Sequence, residues 1–442
     1  MASPKNVIII GGGWAGLAAA VELSRRGIPV TVVEAAPQLG GRARGLAWNS
    51  RYIDNGQHLF LGAYHDLLRI IKILGIPESQ LFLRLPLALH MRSLKGDDFC
   101  LKTKAWLAPF HLLWGLLSAQ GLSLLEKIKV VNAISRMASQ EISAANDITV
   151  AELLAQYHQT PALIECLWEP LCLATLNTPL QSASAQLFVK VIKDTLLSGK
   201  KMADLLIARK SLAAILPQPA HDFVLNHGGT VLLGVRVSAV QVEQNRVTGI
   251  ECQNRFINAD YVIMATSARE CLRLLKPISS LNAMTQKLAQ LNHEPIATVY
   301  LQYPPQVTLP QPLMGITQGT SQWIFDRGIT GYPGLMAVVI SSSGPHQLWD
   351  KTTLAQQVSQ ELALLFPAWP APLESLVIRE KRATFAAVAK VNLIRPACAT
   401  PVRGLWMAGD YTHLPYPATL EGAVRSGMEC AAGINASPFE IY

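Results

Sequence analysis

Gly11-x-Gly13-x-x-Gly16 follows the apolar run Val7-Ile8-Ile9-Ile10 and opens a helical stretch from Leu17 to Arg26, after which Pro29 to Glu34 reads as a second strand ending in an acid. This spacing suits a dinucleotide. Gly11 allows the tight turn, Gly13 lets a pyrophosphate approach the backbone, and Gly16 lets helix and strand pack closely. Glu34, at the end of the second strand, is placed to accept adenosine ribose hydroxyls. Gly40-Gly41-Arg42-Ala43-Arg44 follows within a few residues, an addition that a plain nicotinamide fold does not need. At the far end of the chain Ala408-Gly409-Asp410 follows a short apolar run and precedes a Pro-rich loop and Thr419-Leu420-Glu421-Gly422-Ala423-Val424.

Residues so far apart can share one site only if strands from distant segments lie in one sheet. The opening reads strand, glycine turn, helix, strand, a βαβ unit with buried parallel strands. A second strand-rich stretch from Val231 to Met264, punctuated by Gly234 and Gly249, is expected to return to that sheet, and Leu405 to Ala408 adds a last short strand before a helix from about Thr419 to Gly433. The cofactor domain is therefore expected from 1–85, 205–270 and 395–442. A discontinuous substrate domain takes 86–204, helical around 105–200, and 271–394, with strands at Ile296 to Tyr303 and Leu335 to Ile340. No internal repeat or low-complexity tract interrupts this scheme.

Of the 442 residues half are hydrophobic and 15% charged, against about 45–50% and about 25% in an average soluble protein. An apolar ligand or a membrane surface would account for the excess. The net charge of +8 is spread along the chain, which argues against nucleic acid and suits an anionic lipid surface. Ala105 to Leu125 approaches the roughly 20 residues that span a bilayer, but Pro109 and Gly121 interrupt it. A helical pair of the substrate domain, or an interfacial element with Trp106, Phe110 and Trp114 at headgroup level, are the other readings. Seven cysteines without a C-x-x-C pair indicate neither a disulfide framework nor a metal site. No signal peptide is expected before Val7, and the expected location is cytoplasmic, peripheral on the inner face of the membrane.

With Gly40-Gly41-Arg42 the chain resembles the glycine-glycine-arginine flavoproteins, the superfamily of FAD-dependent amine oxidases, carotenoid desaturases and Rab GDP-dissociation inhibitors. The resemblance implies an α/β fold, a Rossmann-like FAD-binding domain with a discontinuous α+β substrate domain, and non-covalent FAD. It places Gly41 and Arg42 along the pyrophosphate, Val237 against adenine through its backbone, Gly409 and Asp410 at ribityl or phosphate, and Leu420 and Glu421 at the start of a helix facing the flavin. Helix N-terminal amides there would stabilise negative charge on the reduced ring. The run Leu420-Glu421-Gly422-Ala423-Val424-x-Ser426-Gly427 looks more like a desaturase than an amine oxidase. Asp54 to Tyr64, Leu167-Trp168-Glu169-Pro170-Leu171-Cys172, Asn177-Thr178-Pro179 and Arg382-Ala383-Thr384-Phe385 are similar to the hydroxysqualene dehydroxylases of hopanoid synthesis.

That likeness implies reduction of hydroxysqualene to squalene, with hydride from reduced flavin and loss of the protonated hydroxyl as water, downstream of a hydroxysqualene synthase. The pocket should be apolar and dry. Candidate proton donors are His58, able to carry a proton near neutral pH, Asp54, and Glu169, whose pKa burial would raise unless it pairs with a group such as Arg382. Trp168 and Asn177 are candidates for the substrate channel. No second glycine turn for a nicotinamide is visible, so electrons would come from a transient NADPH or a reductase. Oxidative desaturation, amine oxidation and a non-enzymatic prenyl-lipid carrier are the rival readings.

Overall fold

The computed structural model describes residues 6–103, 110–412 and 415–435. A five-stranded sheet runs in the order Thr230–Leu233, Val30–Glu34, Val7–Ile10, Tyr261–Met264, Leu405–Met407, with every neighbour parallel. Strands from three separated segments of the chain thus share it. Its central strand, Val-Ile-Ile-Ile, is buried throughout, as a parallel strand covered on both faces demands. The helix Trp14–Arg25 lies over it, and the terminal helix Leu420–Asn435 crosses that helix. The crossing is close because Gly427 has no side chain, and a Cβ there would stand 2.1 Å from the Ala15 carbonyl oxygen.

The 231–264 stretch departs from expectation. Thr230–Leu233 and Tyr261–Met264 do join the parallel sheet, but Val237–Glu243, Arg246–Cys252 and Arg255–Asn258 form a separate antiparallel meander. Gln244-Asn245 and Gln253-Asn254 adopt left-handed backbone, with φ between 48° and 58°. Two-residue turns of that kind return a strand beside its predecessor and leave no length for a crossover.

A seven-stranded sheet has the order Glu374–Phe385, His293–Gln302, Leu335–Ser341, Trp323–Asp326, Leu313–Thr317, Ala88–Ser93, Phe99–Lys102. The expected strands at 296–303 and 335–340 lie within it. Its pairings are antiparallel except that of Leu313–Thr317 with Ala88–Ser93. Alternation divides its side chains between two faces. Met314, Ile324 and Val338 pack against the helix Lys351–Leu365 through Leu354, Val358 and Leu362, while Leu313, Trp323, Phe325 and Val339 face the opposite way.

Opposite that second face stand the helices Glu169–Leu176 and Ala185–Ile192, each adjoining a π-helical turn, at Ile164–Trp168 and Lys193–Leu197. The helix Leu124–Ser139 begins at a capping box in which Ser123 and Glu126 satisfy each other's backbone amides. Residues 105–109 of the apolar 105–125 stretch, Trp106 included, lie outside the described residues, as does the Phe110 side chain. Among the described residues no helix is long and apolar enough to cross a membrane. Leu113, Trp114, Leu117, Leu124, Leu125 and Ile128 nevertheless leave much of their surface in solvent. All seven cysteines are free, five of them buried.

Candidate active site

Between the parallel sheet and the helices lies a cavity of about 640 Å³. Its first part is a nucleotide cradle. The helix Trp14–Arg25 starts at Gly13 with no side-chain cap, so its first-turn amides are available to an anion. A Cβ on Gly13 would meet nothing within 4 Å, which is the open approach a pyrophosphate requires. A Cβ on Gly16 would stand 2.1 Å from the Gly11 carbonyl oxygen. Glu34 braces the turn, accepting from the Gly12 amide through Oε2 and the Ala36 amide through Oε1, each at 2.7 Å. Both oxygens keep lone pairs for ribose hydroxyls. The residues present therefore fit a bound dinucleotide.

Arg42 joins the two ends of the chain. Its Nη2 donates to Asp410 Oδ1 at 2.8 Å and its Nη1 to the Ala383 carbonyl at 2.6 Å. The Asp410 carboxylate raises the arginine's pKa, so the guanidinium is held charged on the cavity wall beside Gly40, Gly41 and Gly409. Arg395, buried under the same loop, donates to the carbonyls of Asp410 and Thr412 and fixes its path. Val237 also lines the cavity, but its carbonyl is taken by Arg273 Nη2 at 2.9 Å. Leu420 and Glu421 stand on the wall at the start of the terminal helix, where Thr419 Oγ1 accepts from the Gly422 amide. The Glu421 carboxylate is turned to another task. It accepts from the Asp66 and Leu67 amides, each at 3.0 Å, and so caps the helix His65–Ile73, with Arg425 at 3.2 Å.

Beyond the cradle the walls become apolar, with Leu171, Phe188, Ile192, Leu205, Leu313 and Phe325 among the lining residues. Of the three proton-donor candidates, only His58 is on this wall. Its Nδ1 is buried without a hydrogen-bond partner, and burial together with the Arg42 charge pushes its pKa down to about 4. The imidazole is thus neutral at neutral pH, contrary to the expectation that it stores a proton. Asp54 lies off the wall. Its carboxylate is buried, paired with Arg327 Nη2 at 3.1 Å and bonded to the Leu212 amide at 2.9 Å. Glu169 is also off the wall; burial, then Glu165, raises its pKa. The expected partner Arg382 is exposed, and its amide bonds Glu380 instead.

Trp168 is a packing anchor and not a channel residue. Its ring is fully buried and its indole donates to Gln159 at 2.9 Å. Asn177 does reach the wall, in left-handed backbone with φ 49°, where it ties Thr384 and the Ser342 amide together. Among the polar wall residues to which the sequence reading gave no role are Tyr64, Asp194 and Tyr416. Asp194 belongs to a π-helical turn that residue spacing does not announce, and Tyr416 sits in the Pro-rich loop before the terminal helix.

A dinucleotide cradle opening into an apolar cavity is the arrangement that an oxidoreductase with a nucleotide cofactor needs. Residues 14–435 match the flavin containing amine oxidoreductase family, and the chain belongs to it; the enzyme is an FAD-dependent oxidoreductase. It is similar to the hydroxysqualene dehydroxylases of Rhodopseudomonas palustris, 28% identical over 97% of both chains, and Sinorhizobium fredii, 29% identical over 97% of this chain and 98% of the relative. In fold it matches an oxidoreductase from Methanosarcina mazei, with a TM-score of 0.75 at 15% identity, covering 96% of this chain and 99% of that one.

Proposed function

We propose that the enzyme reduces hydroxysqualene to squalene, releasing the hydroxyl as water. The observation that carries this reading is the continuity of the cradle with a cavity whose far walls are leucine, isoleucine and phenylalanine. A long isoprenoid chain matches such walls, and each methylene moved into them from water contributes about 0.8 kcal/mol. Likeness to hydroxysqualene dehydroxylases over nearly the whole chain supports the same substrate.

Bound non-covalently, reduced FAD supplies the hydride. The residues proposed to hold it are Gly11, Gly13, Gly16 and Glu34 in the Rossmann-like first half, Gly41, Arg42 and Val237 along the nucleotide, and Gly409, Asp410, Leu420 and Glu421 at the flavin end. We assign the domains as 1–85, 205–270 and 395–442 for the cofactor and 86–204 with 271–394 for the lipid. His58, neutral and with an unpartnered Nδ1, is assigned to substrate contact. Asn177 shapes the wall. Asp54 and Glu169 would act on the wall only through intervening groups. The water-poor walls protect an electron-deficient allylic carbon from capture by solvent. Electrons come from NADPH or a reductase docking transiently.

The exposed apolar side chains between Leu113 and Ile128 are proposed to seat the enzyme on the cytoplasmic leaflet, from which so insoluble a substrate must be drawn. Anaerobic incubation of reduced holoenzyme with hydroxysqualene, followed by mass analysis of the lipid, tests the reaction. Squalene is expected. An unchanged lipid, or turnover by oxidised enzyme to a more unsaturated product, would overturn the reading.

A further inference from the structure

The cavity wall carries a carboxylate–phenol pair. Tyr416 Oη donates to Asp194 Oδ2 at 2.5 Å, and Lys190 Nζ donates to Asp194 Oδ1 at 2.7 Å. Asp194 and Tyr416 both line the cavity, Asp194 from the π-helical turn Lys193–Leu197 that continues the helix Ala185–Ile192. Turns of that kind cost helix stability and gather at functional positions. Cations lie against the phenol ring from two elements, Arg425 of the terminal helix at 4.4 Å and Lys190 at 5.5 Å from its centre.

We infer that the Tyr416 hydroxyl, positioned by Asp194, gives its proton to the departing hydroxyl of the substrate. This rests on the reduction proposed above. As the carbon–oxygen bond breaks, its electron pair goes to oxygen, the Tyr416 O–H turns from Asp194 to that oxygen and breaks, and the transferred proton completes a water molecule. The carbon accepts the hydride that reduced flavin provides. The phenolate left behind sits under the two cations, which favour its charge. Lys190 then passes a proton through Asp194 to the phenolate, and its partly exposed side chain is reloaded from solvent.

Chemistry favours this donor over His58. Burial, followed by the Asp194 contact, pushes the Tyr416 pKa up to about 12, so the phenol holds its proton at neutral pH. The released hydroxide would be a stronger base, with water ionising near about 15.7, and the transfer runs downhill. His58 has lost its extra proton at that pH.

The experiment compares wild-type holoenzyme with Tyr416→Phe, Asp194→Asn and Asp194→Glu in single-turnover oxidation of the reduced flavin by hydroxysqualene. FAD content and the binding of hydroxysqualene against squalene, read by protein fluorescence, are measured alongside. Tyr416→Phe is expected to keep FAD and lose about 10²–10⁴-fold in rate. Asp194→Asn should slow the step as well and Asp194→Glu restore part of it, because only the carboxylates can relay a proton. The losses in Tyr416→Phe and Asp194→Asn should both be accompanied by a weaker preference for the alcohol over the hydrocarbon. Turnover of both Tyr416→Phe and Asp194→Asn within about threefold of wild type, below the effect of a general acid, overturns the inference alone. A wild type that leaves hydroxysqualene untouched overturns the reading of the reaction and this inference with it.

Discussion

Arg42 is proposed to meet the cofactor's pyrophosphate while it stays paired with Asp410. Its pair with Asp410 is direct but leaves donors of the guanidinium free, and a charge-assisted contact is worth about 1.5–3 kcal/mol. Arg42→Ala should therefore weaken FAD retention about 10- to 100-fold, measurable by ultrafiltration of the holoenzyme; unchanged retention would remove Arg42 from the cofactor site. His58 offers a test in pH. Its folded pKa of about 4 lies below the ordinary histidine value of 6.5. Between those values the unfolded chain takes up a proton that the folded chain refuses, so stability falls as pH drops from 6.5 toward 4 and is unaffected by this group above that window. NMR of the imidazole should show a midpoint well below the ordinary value, and His58→Gln should flatten that part of the stability profile. A midpoint near 6.5 would mean that the ring is solvated.

Among elements, the terminal helix does two jobs that depend on single residues. Through Gly427 it seats on the helix Trp14–Arg25, and through Glu421 it caps the helix His65–Ile73. Glu421→Ala would leave the Asp66 and Leu67 amides without their acceptor, at about 1–3 kcal/mol for each group kept from water. Glu421→Gln retains one acceptor and should lose less. Denaturant midpoints of the holoenzyme, in the order wild type, Gln, Ala, check this; equal midpoints for Gln and Ala would deny the cap. Such ties explain what the sequence could and could not reveal. Gly11, Gly13, Gly16 and Glu34 were legible because one turn and the strand after it impose their spacing. The strands between Val237 and Asn258 were legible as strands, yet alternation does not name a partner, and the Gln-Asn turns decided it. Asp194 and Tyr416 are 222 residues apart, with no local rule connecting them. Trp168, a channel candidate, is instead buried with its indole on Gln159, a contact that residue type does not announce.

At the scale of the whole molecule, the proposed lipid substrate calls for a surface that can meet a membrane. Leu124 and Leu125 leave 70% and 64% of their surface exposed at the start of a helix, beside Lys127 and Lys129 in a chain of net charge +8. Flotation with anionic vesicles at low salt should carry the enzyme upward, and a Leu124→Asp, Leu125→Asp double variant should stay behind with its flavin intact. Wild-type protein remaining in the soluble fraction would count against a lipid-facing surface. The parallel sheet has a consequence for how the molecule comes into being. Arg42 and Asp410 are separated by 368 residues, and at about 5–20 residues per second a ribosome needs roughly 20–70 s to make the second after the first. Once made, the strand Tyr261–Met264 lacks its neighbour Leu405–Met407 for the rest of that interval, and throughout it the face of the first helix that receives Gly427 is without the terminal helix. With the cofactor held as proposed, flavin capture is expected to be one of the last events of biosynthesis, and a nascent chain halted before Leu405 is expected to carry the glycine turn without retaining the cofactor.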